Sequence, residues 1–543
     1  MTSCADLATE PEGQLTGDLV AKAIEANPSL LIGSVKAINF SIAKEYCASG
    51  KDAGRADDFG WPSQCLSDAI NAGDALTTPS GYDWFSVASS YQDRTETYAN
   101  PYQRWAMFYK QIKAVNDLLE QVDLNTDNQK LQQYIGVAKT VRAFDYLQLV
   151  QMYAFTYKGH ETSPAVPVFI AENEEGYDTL TSRRQTVEMV YGLIEKDLDD
   201  GEKYLAEYSR PDKSFVNLSV VYGLKARVAL IKNEWSKAAD YADKAIKAAA
   251  ADGVTPASVD EMKAVGSMFN NVAEKNWMWG MTFSQANIET DGEYETWVSQ
   301  ISSLAAYSYT TEAGTYRKIN SRLFNTINDT DVRKGWWVND KAESPLIAGK
   351  EWSNSGVTAP LGKACGNLLD FEPYTNVKFG AAQGEIGSTH PYGDFPFMRV
   401  EEMYLIKAEA EGRQNEAAGV KTLEDFIKAY RDPSYEYAKK STTNFIDEVW
   451  RQRRIELWCE GFAMGDILRL KKPMVRYCGN SDNVSNWDES YRFNFPAEDN
   501  ILLMKIPQSE IDGNAYISSD DNNKAGSEAV NGLNPDLRDG VTD

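Results

Sequence analysis

The sequence predicts a mainly α-helical protein: a scaffold of paired helices carrying a large, loop-rich inserted subdomain with short strands. Three observations lead there. Residues 16–252 and 396–470 hold successive stretches whose apolar residues recur three and four apart, the period of a helix with one buried face. Two of these stretches, within Asn217 to Ala250, are joined by a very short turn. Between the two helical blocks, residues 253–395 lose the period and mix Gly, Asn, Thr and Ser with many Trp and Tyr.

The short-turned pair anchors the reading. Val221, Leu224, Val228 and Ile231 form one stripe, with Asn217 or Ser219 placed to cap its start. Trp235, Ala238, Ala239, Ala242, Ala245 and Ala249 form the facing stripe, with Asn233 as its expected cap and Glu234 in the first turn. Small residues let two helix axes approach closely. With Ala226 on the partner helix, this spacing resembles a tetratricopeptide-type hairpin; an ordinary antiparallel pair is the alternative. Such a hairpin buries its apolar faces only against further pairs.

The other elements follow in order. Thr16 to Tyr46 reads as a helix with a break at Pro28. Residues 49–100 read as a long aromatic loop, rich in Gly, Asp, Ser and Pro; loops of that length in helical proteins are functional or disordered, and the aromatics argue against disorder. Pro101 to Val122, Leu131 to Tyr153 and Thr186 to Leu205 read as helices, with Pro164 and Pro167 forcing extended chain between them. Trp277 and Trp279 lie in an apolar strand-like run. Helices resume at Phe397, one ending at Gly412, one stopping before Pro433 and one running from the cap Asn444 to Glu460, closed by Gly461. Residues 471–543 read as an irregular segment packed on the scaffold, with a short strand at Leu502 to Pro507.

Composition narrows the function. The chain has 543 residues and a net charge of −25, so it lacks the basic footprint that nucleic acid requires. Only two histidines are present, His160 and His390, and neither sits in a catalytic motif. No apolar run is long enough to span a bilayer. Cys4, after Met1-Thr2-Ser3, looks like the acylated residue at the end of a bacterial lipobox, which makes residues 1–15 a lipid-anchor linker; an arbitrary start is the alternative. The other five cysteines form no zinc pattern, and nothing calls for a cofactor.

Several stretches carry a resemblance. Residues 109–116 (YKQIKAVN), 138–150 (AKTVRAFDYLQLV), 397–410 (FMRVEEMYLIKAEA), 453–461 (RRIELWCEG) with 466–469 (DILR), and Ile506-Pro507 before Glu510 occur in the order found in SusD/RagB-family proteins. The sequence departs from that pattern at Gln452, at Ala463 and at Leu533 to Leu537, positions that are mostly scaffold in the family. The charged motif residues Arg142, Glu402, Glu409, Glu456, Asp466 and Arg469 are expected to form buried pairs between packed helices rather than to catalyse.

The resemblance implies a glycan-binding lipoprotein on the outer membrane. It would hold oligosaccharide or polysaccharide over a SusC-like TonB-dependent transporter and would not be an enzyme. Sugar rings present an apolar face and a rim of hydroxyls, which aromatic side chains and nearby polar groups complement. The candidate site residues are Asp74, Tyr82, Trp84 and Tyr91 from the loop, and Tyr294, Trp297, Tyr307, Tyr309, Trp336 and Trp337 from the inserted subdomain. Trp105, Trp235, Trp277, Trp279 and Trp450 are assigned to packing. Two other classes stay open: a peptide-binding helical-repeat lipoprotein, and a glycosidase using two carboxylates.

Overall fold

The computed structural model describes residues 17–42, 47–48, 55–80, 83–177, 182–283, 296–390, 392–440, 442, 444–480 and 483–543. Helix α1 (Gly17–Ala26) and α2 (Ile32–Phe40) are separated by a 3-10 turn that begins at Pro28. Next comes α3 (Trp61–Asn71), inside the stretch expected to be loop. The correction has a physical cause. All eleven residues of α3 are buried, polar ones included, so a composition that reads as loop lies wholly inside the protein. Its polar side chains meet polar partners inside: Gln64 donates to Asp68 at 2.8 Å, and Arg104 reaches Ser67 at 2.7 Å. Strand β1 (Ala75–Leu76) and the short α4 (Ser86–Ser89) complete the segment.

The scaffold helices form as their periodicity implies. They are α5 (Ala99–Leu119), α6 (Gln129–Tyr153), α7 (Val187–Tyr204), α8 (Leu218–Ile231) and α9 (Trp235–Ala251). Asn128, Thr186 and Asn217 cap α6, α7 and α8 through their side chains. Asn233 does not cap α9. It takes a left-handed conformation (φ 61°) in the two-helix turn, where Asn is tolerated. Ala238, Ala242, Ala245 and Ala249 are fully buried, so α9 packs closely against α8. The prolines at 164 and 167 begin and end β2 (Pro164–Pro167), which pairs with β3 (Arg184–Thr186).

Residues 253–395 hold short elements: β4 (Trp277–Met281), α10 (Trp297–Ile301), α11 (Tyr309–Glu312), β5 (Lys318–Ile319), α12 (Ser321–Asn325) and the hairpin β6 (Glu351–Asn354) to β7 (Val357–Pro360). Strand β8 (Phe395–Arg399) pairs antiparallel with β4 and leads directly into α13 (Val400–Gln414). That helix runs two residues past Gly412, where the Phe445 ring occupies the space a Cβ would need. Helices α14 (Glu416–Tyr430), α15 (Phe445–Glu456) and α16 (Ala463–Leu470) follow. Helix α15 ends before Glu460, because Cys459 and Gly461 turn left-handed. In the tail, β9 (Met474–Val475) pairs with β10 (Asn494–Phe495), and α17 spans Gln508–Gly513. Leu502 to Pro507 is not a strand: Leu502 ends a 3-10 turn and the rest is irregular. Side-chain amides of Asn522 and Asn523 take its backbone groups at Met504 and Ile506 instead. The β content among the described residues is five small two-stranded sheets and a few isolated bridges. No described helix is long and apolar enough to cross a membrane.

The motif charges pair inside the core, as expected. Arg142 donates to Asp197 (2.8 Å) and Glu174 (2.6 Å), Arg227 to Glu402 (2.7 Å), and Arg469 to Glu409 (2.7 Å) and Asp466 (2.7 Å). Glu456 gathers three arginines: Arg333 at 3.2 Å, Arg399 at 3.0 Å and Arg431 at 2.8 Å. Burial alone would raise its carboxyl; Arg431 foremost, then Arg399 and Arg333, holds it well below the usual range instead.

Asp145 is the exception. It is fully buried on α6, and neither carboxyl oxygen has a partner. Burial pushes its pKa well above the usual carboxylate range, so the folded state holds a proton that the unfolded chain has released. Stability on this account falls as pH rises above the unfolded value of about 4. Asp145→Asn, which fixes the neutral form, should leave stability unchanged below that pH and raise it by at least about 1 kcal/mol at pH 7. Urea titrations of both proteins at pH 3.5 and pH 7 check this; an equal midpoint at pH 7 contradicts it.

The close packing of α8 on α9 gives a second expectation. Ala242→Asp places an unpaired charge at a fully buried position and should cost at least about 3 kcal/mol. An unchanged melting temperature would rule out the close-packed hairpin.

Candidate functional site

Two segments far apart in sequence meet through a two-stranded ladder. Strands β1 and β5 run antiparallel, with Ala75 opposite Ile319 and Leu76 opposite Lys318. The chain leaving β1 at Thr77 and the chain entering β5 at Arg317 therefore lie at the same end. Arg317, fully buried, locks them together. It donates to Asp83 at 2.9 Å, to Thr77 Oγ1 at 2.7 Å and to Gln300 at 3.0 Å. Asp83 also accepts from Thr77 and from the backbone N–H of Phe85 at 2.9 Å.

Trp84 projects from this locked turn. Its neighbours Asp83 and Phe85 are buried, while 37% of Trp84 is open to solvent. The Arg55 guanidinium lies over the indole, 5.2 Å from the ring centre. That guanidinium is itself fixed by Asp57, through two hydrogen bonds of 2.9 Å, and Asn100 supports Asp57 from behind at 3.2 Å. A cation on an exposed indole contributes about 0.5–1 kcal/mol and orients the ring.

Across the ladder, Tyr307 and Tyr309 are half-buried near the start of α11. Ser308 caps that helix through the Thr311 N–H, and Tyr309 N–H donates to Ser299 Oγ at 3.3 Å. Leu369 lies beside them, 44% exposed, with its N–H on the Thr311 carbonyl. A polar group completes the rim. Thr78 Oγ1 donates to Glu372 at 2.6 Å, and Lys318 Nζ reaches both Glu372 (2.5 Å) and Thr78 (2.7 Å). Arg55, Thr78, Lys318, Leu369 and Glu372 carry no motif or period by which they could have been found.

Several expected site residues are placed elsewhere. Trp297 is 1% exposed; its indole N–H donates to the Gly393 carbonyl at 2.6 Å, and Phe379 and Phe395 press edge-on against it. Trp336 and Trp337 are likewise enclosed. Trp336 donates to the Met262 carbonyl at 3.1 Å, and Trp337 packs edge-on against Trp458. Tyr91 is buried between Phe493 and Phe495, donates to the Asn71 carbonyl at 2.6 Å, and burial pushes its phenol up to about 12. Asp74 is buried as well, paired with Arg454 at 2.7 Å, and Arg454 also holds Asp539 at 2.7 Å. These five are framework. Each sits in a stretch without helical period, where irregular backbone and a large side chain fill the core together. Tyr82, Tyr294 and Cys4 lie outside the described residues. Trp84, Tyr307 and Tyr309 remain at the surface. The residues assigned to packing do pack: Trp105, Trp277, Trp279 and Trp450 are buried, and Trp235 is half-buried under Arg413.

The arrangement offers an exposed indole and two half-buried tyrosines on segments joined by the ladder, with fixed hydrogen-bonding groups at Thr78, Lys318 and Glu372. Its charges are already balanced within Thr78, Lys318 and Glu372, so a neutral polyhydroxylated ligand suits it better than an ion. Among the described residues no cluster of three His, Cys, Asp or Glu could hold a metal.

Comparison with known proteins agrees with this architecture. Residues 69–230 match a family model described as "Starch-binding associating with outer membrane", and residues 257–522 match one described as "SusD family". No curated protein matches the sequence. Among solved structures, a SusD-like carbohydrate binding protein from Bacteroides vulgatus is similar at 20% identity and a TM-score of 0.69, covering 92% of this chain and 98% of its own. A SusD superfamily protein from Bacteroides thetaiotaomicron is 18% identical with a TM-score of 0.66, covering 92% and 99%. Another from Parabacteroides distasonis is 18% identical with a TM-score of 0.64, covering 94% and 100%. At these identities the likeness is one of fold. With two family models taking in most of its length and the motif charges paired across its helices, the chain belongs to the SusD/RagB family.

Proposed function

We propose that this protein binds glycan at the cell surface, with Trp84 as the stacking platform and Tyr307 and Tyr309 beside it. The observation that carries this reading is the seat of Trp84. An exposed indole is oriented by Arg55 and flanked by buried anchors, at the junction of two distant segments. An aromatic ring held this way stacks on the apolar face of a sugar without first being ordered, which lowers the entropic cost of binding. The polar group of Thr78, Lys318 and Glu372 then faces the hydroxyl rim. In this reading Cys4 carries a lipid that holds the protein to the outer membrane, and a SusC-like TonB-dependent transporter receives the captured oligosaccharide. The family description "Starch-binding associating with outer membrane" supports both the ligand class and the location. Binding, with no chemistry on the ligand, is the activity proposed.

Affinity electrophoresis in gels containing starch, xylan, β-mannan, laminarin or pectic galactan, with casein peptides as the protein arm, identifies the ligand class. Trp84→Ala should lose about 2 kcal/mol of binding, or more than tenfold in affinity, and keep its melting temperature within about 2 °C. Trp297→Ala should instead lose roughly 3–5 kcal/mol of stability. Normal glycan binding by Trp84→Ala removes it as the platform, and binding confined to peptides overturns the glycan reading.

The lipid has a separate readout. In the full precursor, Cys4→Ala should abolish incorporation of radiolabelled palmitate. Labelling equal to the unaltered protein would exclude Cys4 as the anchor.

A further inference from the structure

A second concavity lies next to the platform. The ladder continues beyond β5. Asn376 N–H donates to the Arg317 carbonyl at 3.0 Å, Val338 N–H to the Thr375 carbonyl at 2.9 Å, and Trp337 pairs antiparallel with Asn376. Four chain segments therefore lie side by side: β1, β5, residues 374–376 and residues 337–339. At a spacing of about 4.8 Å each, the first and last are about 14 Å apart.

At the far side of this row is a cleft of about 640 Å³, within the size range of small-ligand sites. Val259, Phe324 and Leu346 give it an apolar wall, and Lys263, Asn339 and Glu343 lie around it. The buried charges there are already committed: Arg431 to Glu401 and Glu456, and Asp331 to Arg333. Among the outer groups Lys334 pairs with Asp329 at 2.6 Å, while three others keep spare capacity. The Glu343 carboxylate has no partner among the described residues. Asn339 spends its carbonyl oxygen on the N–H groups of Lys341 and Glu343, which leaves its amide N–H₂ without an acceptor. Lys263 has only a 3.5 Å contact with exposed Asp260. An apolar wall with an acceptor and an amide donor unpartnered among the described residues, and an ammonium loosely paired with Asp260, is apolar area with hydrogen-bonding groups at its edge, as at the platform.

One chain segment joins the platform's rim to the cleft wall. Glu372 belongs to the platform's rim through Thr78 and Lys318. Two residues on, Tyr374 packs edge-on against Phe324, in the cleft wall, with 5.4 Å between ring centres.

We propose that this cleft is a second subsite for the same saccharide chain, occupied when a polymer seated on Trp84 extends across the 374–376 segment. The proposal rests on the glycan reading above and adds to it a dependence on chain length. A disaccharide reaches one concavity; a chain that spans the row reaches both. The second contact is then intramolecular and raises affinity without altering the first.

The test uses the polysaccharide that retards the protein among starch, xylan, β-mannan, laminarin and pectic galactan, cut to oligosaccharides of two to eight units. Calorimetry is run on the unaltered chain, on Lys263→Ala/Glu343→Ala and on Trp84→Ala. Both altered cleft residues are exposed, so the fold is spared. A third variant, Val259→Trp, fills the cleft and needs no polar loss. The unaltered protein should bind the octasaccharide at least tenfold more tightly than the disaccharide. The two cleft variants should lower octasaccharide affinity by about tenfold, the size that two hydrogen bonds to a ligand carry, and leave disaccharide affinity within twofold. Trp84→Ala should weaken both. Length-independent affinity, or cleft variants that bind the octasaccharide normally while Trp84→Ala fails, overturns the second subsite alone. Retardation by none of the five polymers overturns the glycan reading and the subsite with it.

Discussion

The structure depends on one buried carboxylate. Glu456 ends α15 and accepts from Arg333 of the 253–395 region, from Arg399 where β8 meets α13, and from Arg431 beyond α14. Around it Glu401 takes Arg399 and Arg431, and Glu460 takes Arg399 and Lys378. Lys378 also donates to the carbonyls of Glu456 and Trp458, which finishes the helix end. Three negative and four positive groups are thus removed from water together. Such a cluster gains little over apolar packing when intact, and removing one member leaves a charge uncompensated. Its effect is to make the relative placement of four chain segments nearly all-or-none.

The surface site inherits that rigidity. Trp337 packs on Trp458, two residues from Glu456, and Trp458 donates to the Asp74 carbonyl at the entrance to β1. The β1–β5 ladder is only two residues per strand, too short to be stable in isolation. It persists because Arg317 and Asp83 are buried against each other at one end and Asp74 is held by Arg454 at the other. Trp84 can therefore stand in solvent on a short turn and still keep one orientation. The proposed binding surface is thus fixed by internal charges, three of them on irregular chain (Asp74, Asp83 and Arg317) and one, Arg454, on α15.

What could be read from residues follows from where water is. Helices α5, α7 and α9 have one wet face and one dry face, so their period was legible; α6 and α8 are almost wholly buried and were legible from the spacing of their large apolar residues, with Asn217 as the cap of α8. The motif charges were legible as pairs because a charge on a packing face of a helix must find a partner. Helix α3 has no wet face, and its mixture of Ser, Gln, Asp and Asn with apolar residues reads as loop. Trp297, Trp336 and Trp337 lie in stretches rich in Ser, Asn and Gly, which suggested exposure. In fact the short polar side chains serve neighbouring backbone, as Asn376 does for the carbonyls of Ile301 and Arg317, and the indoles fill the space that irregular chain leaves. Composition distinguishes neither case. Trp84 differs from Trp297 only in what lies over it, and that is a property of tertiary contact.

The pairing of Asp74 with Arg454, and of Arg454 with Asp539, has a consequence for how the molecule comes into being. These residues join positions 380 and 85 residues apart. During synthesis, residue 539 emerges well after Arg454, and until then Arg454 lacks one of its two carboxylates. Contacts of such sequence separation carry a large loop-closure cost before they return any stability. The start of β1, which leads to the Trp84 turn, therefore gains its full set of buried partners only once residue 539 has emerged.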